Sequence, residues 1–153
     1  MTQTHRVAIL IPLAVSAIVV LCTIVIHALA LSGTVNFFRR EKQHGRVGVS
    51  FGTDVLIVAL AILVAFLAHL LEIALWAWLF ILCKEFQDFG TAYYHSAVNY
   101  TTLGYGDVIM TPAWRLLGPL EAANGALMFG VSTAMIFAVT QRLILTRFVD
   151  LKD

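Results

Sequence analysis

Three apolar stretches, each long enough to cross a bilayer, constrain this 153-residue chain more than anything else in it. Val7 to Leu31 holds no formal charge, Val55 to Cys83 is interrupted by Glu72 and His69, and Trp114 to Leu145 has a few polar positions. At a rise of about 1.5 Å per residue each exceeds a hydrocarbon core of roughly 30 Å, so tilt or an interfacial end is expected. Lipid offers no partner to backbone N–H and C=O groups, and segments of this kind satisfy them as helices. The chain therefore reads as an all-α integral membrane protein with three spanning helices.

Composition agrees: 60% of residues are hydrophobic, 12% are charged and the mean hydropathy is +0.88. A soluble domain carries about twice that charge. The charges are also segregated, at the N-terminus, from Arg39 to Arg46, from Lys84 to Asp88 and from Arg142 onward. The expected layout is an N-terminal spanning helix over 1–33, a basic interfacial loop over 34–53, a pore-like unit over 54–146 and a short tail over 147–153.

Between the second and third spans, roughly Phe89 to Thr101 is apolar enough to enter a membrane and too short to cross it, so a re-entrant helix is predicted. Thr101-Thr102-Leu103-Gly104-Tyr105-Gly106-Asp107 follows it, a polar, glycine-spaced strip at membrane depth. Irregular backbone there must be enclosed by protein or line a watery cavity. One chain supplies one such loop and cannot close a ring, so several copies meeting around an axis are expected, with closed cyclic symmetry.

Basic residues set the orientation. Arg39, Arg40, Lys42 and Arg46 follow the first span and Arg142, Arg147 and Lys152 lie near the other end, whereas the re-entrant region holds Lys84, Arg115 and several acids. The positive-inside rule places the N-terminus outside and the C-terminus in the cytoplasm. Phe37 and Phe38 beside two arginines suit either the inner membrane surface or an ordinary solvated loop. The first apolar run exceeds the roughly 7–15 residues of a signal-peptide core and is read as a retained helix. Cys22 and Cys83, at unrelated depths, support neither a disulfide nor a metal site.

The residue types of the strip suit a dehydrating cation. Several oxygens of moderate field strength replace water without the deep binding of a carboxylate cage, and stacked backbone carbonyls supply them. Gly104 and Gly106 take positive φ cheaply, which lets successive carbonyls face one way. Thr102 adds a hydroxyl, while Leu103 and Tyr105 are expected to point away from the axis. The short helix ends near Tyr100 and turns the negative end of its dipole toward the membrane centre.

With that strip between two spans, Val55 to Leu145 resembles the pore module of the potassium-channel superfamily, two helices flanking a re-entrant loop. The resemblance implies a homotetramer conducting K+ as permeant ion, with Thr102, Leu103, Gly104 and Tyr105 lining the ion sites. Thr101, Gly106 and Asp107 then form the filter support and outer mouth, and Tyr94 and His95 stand where relatives clasp the filter tyrosine. Gly125, or else Gly130, matches the inner-helix glycine linked to gating in relatives, although small-residue helix contacts explain both equally well.

Two departures stand out. Val98 occupies the position where many such channels carry an acid behind the filter. Glu121, at filter depth in the third span, offers a replacement charge or hydrogen bond, or is satisfied by a neighbouring backbone group or Arg115. The first span, absent from minimal two-helix channels, carries no arginine or lysine between Val7 and Leu31. A voltage sensor needs several charges, each worth about 2.3 kcal/mol per 100 mV. Few residues follow Arg142, so no soluble ligand-binding domain is expected, and a weakly regulated conductance is the default reading.

His69 and Glu72 sit three apart on one face of the second span, where ionisable groups are costly. They form either a latch to Asn99, Tyr100 or the third span, or a proton-sensitive gate. Two ligands alone do not make a metal site. No enzyme is read, since no nucleophile set, phosphate loop or metal-ligand spacing occurs in an aqueous setting, and no nucleic-acid partner is expected. The alternative is a modulatory or non-conducting subunit assembled with another pore chain. Economy of size suggests a prokaryotic inner membrane, with the lipid bilayer and copies of the chain as partners.

Overall fold

The computed structural model describes residues 3–48 and 50–149, and among them there are four helices and no strand. Helix α1 is Gln3–Gln43, α2 is Phe51–Leu82, α3 is Phe89–Tyr100 and α4 is Leu117–Val149. α1, α2 and α4 are long and apolar enough to cross a membrane, whereas the 12 residues of α3 reach about 18 Å and are not. The protein is an all-α, multi-pass membrane protein with a short helix between its second and third spans, as the apolar pattern predicts.

The helices run past the expected boundaries, α2 starting at Phe51 and α4 reaching Val149, and α1 differs most. A loop was expected over 34–53, but α1 continues through Phe37, Phe38, Arg39 and Arg40 to Gln43. Val35 to Gln43 contains no glycine or proline and ends in good helix formers, and Arg40 and Lys42 in the last turn complement the helix dipole. The break comes at Gly45, whose φ of +65° favours glycine and whose N–H donates back to the Lys42 carbonyl at 3.1 Å.

The ends flanking α3 are defined by local chemistry. α2 stops where Lys84 turns left-handed at φ +60°, and the Lys84 and Glu85 N–H groups donate to the Ile81 and Phe80 carbonyls at 2.9 and 3.0 Å. This reciprocal pair satisfies acceptors that the helix end leaves open. α3 starts at Asp88, whose carboxylate accepts from the Thr91 N–H at 2.8 Å, a bond that also holds the Asp88 carboxyl below the usual carboxylate range.

The chain forms two compact units, and each long helix contributes to both. The first comprises Met1–Ile26 and His69–Met128. Its core gathers Trp76, Phe80, Tyr100 and Leu117, all fully buried, with Val19, Ile73 and Met128 around them. α3 enters this core through Ala92, Ser96 and Tyr100, which recur every four residues and so share one face. The second unit comprises His27–Ala68 and Phe129–Asp153 and packs Val47, Ile57, Val139 and Leu143 together. In it Asp54 accepts from the Gly48 N–H at 3.0 Å and pairs with Arg147 at 3.7 Å, while His27 and Ser132 meet at 2.9 Å.

Candidate functional site

The strip after α3 is seated by the end of that helix. The Thr101 N–H donates to the Ala97 carbonyl at 3.1 Å and the Thr102 N–H to Asn99 at 2.8 Å. The Val98 carbonyl then accepts from both Leu103 and Gly104, at 2.9 and 3.2 Å. Val98 thus contributes its backbone to the strip, and its side chain is buried.

Beyond this anchor, Gly104 and Gly106 lie at φ +60° and +70°, in the left-handed region that the glycine spacing predicts. Thr102 joins them at φ +61°. Sequence reasoning misses this, because a β-branched residue is the last expected there; such a conformation costs about 1–3 kcal/mol and persists where surroundings impose it. Positive φ at Thr102, Gly104 and Gly106 therefore alternates with ordinary backbone at Leu103 and Tyr105.

One side of α3 secures the segment after the strip. The Tyr94 hydroxyl donates to Asp107 Oδ2 at 2.7 Å, and this bond holds the Asp107 carboxyl below its usual range. His95 Nδ1 lies 3.0 Å from the Val108 carbonyl, and its Nε2 lies 2.8 Å from the Asn99 amide nitrogen. A neutral imidazole with its proton on Nδ1 satisfies both, donating to the carbonyl and accepting from the amide. Within the chain Tyr94 and His95 thus hold Asp107 and Val108, the residues that follow Gly106. Further on, Glu85 accepts from the N–H and hydroxyl of Thr111, both at 2.6 Å.

Behind the strip, α2 and α4 grip α3 at two levels. At the lower one the Tyr100 hydroxyl donates to the Glu72 carboxylate and lies 3.0 Å from His69 Nδ1, with His69 and Glu72 3.5 Å apart. All three are buried, and Tyr100, one of the anchors expected for His69 and Glu72, meets both of them. At the other level Ser96 Oγ lies 2.8 Å from the Ile73 carbonyl and 2.5 Å from Glu121 Oε1. Glu121, fully buried, is therefore tied to α3 through Ser96, a residue the sequence reading passed over. The available signal was a small polar residue on the buried face shared by Ala92 and Tyr100.

The two inner-helix glycines separate. A Cβ on Gly125 would stand 2.0 Å from the Tyr100 carbonyl oxygen, so α4 and the end of α3 approach through this glycine. At Gly130 nothing lies within 4 Å of the same position.

The strip itself lies open on the chain, with Leu103 54% and Tyr105 67% exposed. Residues 68–142 match the family model described as ion channel. This segment is an ion-channel pore module. The pore module takes in the end of α2, all of α3, the strip and most of α4, and leaves α1 outside. No curated protein and no solved structure matches the chain.

Proposed function

We propose that the chain is the protomer of a homotetrameric, K+-selective channel in which Thr102, Leu103, Gly104 and Tyr105 supply the oxygens that replace the hydration shell of K+. The observation that carries this reading is the alternation of positive φ at Thr102, Gly104 and Gly106 through a strip that is exposed on one protomer. Irregular backbone at membrane depth needs protein around it, and further copies of the same strip are its natural enclosure. K+ then moves down its gradient by knock-on between adjacent sites, with no covalent step. The pore domain extends over 54–146, the N-terminus faces out and the C-terminus faces the cytoplasm. α1 holds no arginine or lysine between Val7 and Leu31, so opening is not driven by a voltage sensor in that span. His69, held beside Glu72 and Tyr100, is the candidate for any pH modulation of opening, the alternative being a structural latch.

The test is the reversal potential of the purified chain in planar bilayers under opposed K+ and Na+ gradients, with Gly104→Ala as control. The expected current reverses near the K+ equilibrium potential and disappears in the variant. Reversal near zero would refute K+ selectivity, and silence across pH and voltage would favour a modulatory subunit.

A further inference from the structure

We infer that the groove between α1 and α4 in the second unit is a binding site for an anionic phospholipid. This rests on the chain being a membrane protein and is independent of which ion it conducts.

The groove has a volume of about 430 Å³. Two helical stripes face each other across it. Val35, Phe38 and Lys42 recur at helical spacing on α1 with Arg39 alongside, and Met135, Val139 and Arg142 do so on α4. Its walls are thus hydrocarbon, and three cationic heads gather at the same site from two helices.

Charge pairing separates these three from Arg46 and Arg147 of this unit, and Arg40, likewise without an ion-pair partner among the described residues, does not line the groove. Arg46 is paired with Glu41 at 3.4 Å and Arg147 with Asp54 at 3.7 Å. Arg39, Lys42 and Arg142 have no ion-pair partner among the described residues and are exposed. Like charges that converge without an acid repel one another, and the arrangement is relieved by an anion. An anion alone has no use for apolar walls, whereas a phospholipid presents a phosphate joined to acyl chains, which matches a basic end on a hydrocarbon slot. A second copy of the chain fits less well. It would bring the same cations, and the acids of the described part of this unit, Glu41 and Asp54, are already engaged.

The experiment is native mass spectrometry of the full chain, released from detergent after titration with phosphatidylglycerol or phosphatidylcholine. Phosphatidylglycerol is expected to stay bound under conditions that strip phosphatidylcholine. The triple variant Arg39→Gln, Lys42→Gln, Arg142→Gln is expected to weaken phosphatidylglycerol binding by about a hundredfold, the combined effect of three surface cations. Arg46→Gln, whose partner is Glu41, should change it little. Equal retention of the two lipids, or a triple variant that binds as the parent does, would overturn the inference. Displacement of the lipid by excess inorganic phosphate would reduce the site to an anion contact and also overturn it. Phe38→Cys and Met135→Cys that cross-link between protomers in native membranes would assign the groove to a second copy. Loss of K+ current without loss of lipid retention would count against the channel reading alone.

Discussion

Gly125 packs against the backbone of Tyr100 so closely that a methyl group at its α-carbon would sit 2.0 Å from the Tyr100 carbonyl oxygen. That carbonyl belongs to the last turn of α3, directly before the strip, so the seat of the strip depends on a missing side chain one helix away. A hinge glycine and a contact glycine look the same in a sequence. The distance shows that Gly125 is a close contact to the end of α3, whatever part it takes in gating.

Gly125→Ala is therefore expected to destabilise the folded protein. The obstacle is backbone and cannot swing aside, which puts the cost at the upper end of about 1–3 kcal/mol for overpacking. Gly130→Ala has open space and removes a helix-interior glycine, so it should gain about 0.5–1 kcal/mol. Thermal unfolding in detergent compares the two, and similar losses in both would contradict the close contact at Gly125.

Tyr100→Phe tests the lower grip. It removes the hydroxyl that donates to Glu72 and meets His69 while keeping the ring in the core, and a buried hydrogen bond to an acid is worth about 2 kcal/mol. The thermal midpoint should fall accordingly, with the ring's burial retained. In the same cluster His69→Ala is expected to abolish any pH dependence of open probability, measured on single channels. A pH response that persists in that variant would assign proton sensing elsewhere.

The spans, the short helix and the left-handed glycines were legible in the sequence because each rests on a local rule. Hydrocarbon thickness sets the length of a span, Asp88 caps α3, and Gly104 and Gly106 are the cheap positions for positive φ. The extension of α1 to Gln43 was misread as loop because charge was taken to end a helix, whereas Arg40 and Lys42 suit a helix C-terminus. Thr102 in the left-handed region was hidden for the opposite reason. Its intrinsic preference opposes that backbone, and the neighbouring Asn99 and Val98 carbonyls are what hold the turn. Ser96 was missed because its importance lies in two partners, Ile73 and Glu121, that are distant in sequence.

Tyr94→Phe should shift the acid response of the outer mouth. The Tyr94 hydroxyl lowers the pKa of Asp107 in the folded state, so its stabilising effect is complete above the ordinary carboxylate value and is lost as pH falls through the depressed one. Without the hydroxyl Asp107 titrates nearer its ordinary value. Any loss of conductance on acidification should then begin at higher pH than in the parent. Identical acid profiles for the two proteins would show that Asp107 does not control the mouth.

The Ser96 hydroxyl has one proton and two oxygens within reach, the Ile73 carbonyl and Glu121 Oε1. The carbonyl can only accept. If Ser96 donates to it, the short contact to Glu121 is satisfied when the carboxyl itself donates. A neutral donor at 121 then completes the set, and Glu121→Gln, whose amide also donates, should retain both the thermal midpoint and the current. Glu121→Ala removes the donor and leaves a void between α4 and α3, and Ser96→Ala strands a buried carboxyl, so each should lose about 1–3 kcal/mol. The comparison of Gln with Ala is the deciding one. If Glu121→Gln is as damaging as Glu121→Ala, an ionised carboxylate is required beside Ser96, and the acid absent at Val98 has been moved to α4 with its charge intact.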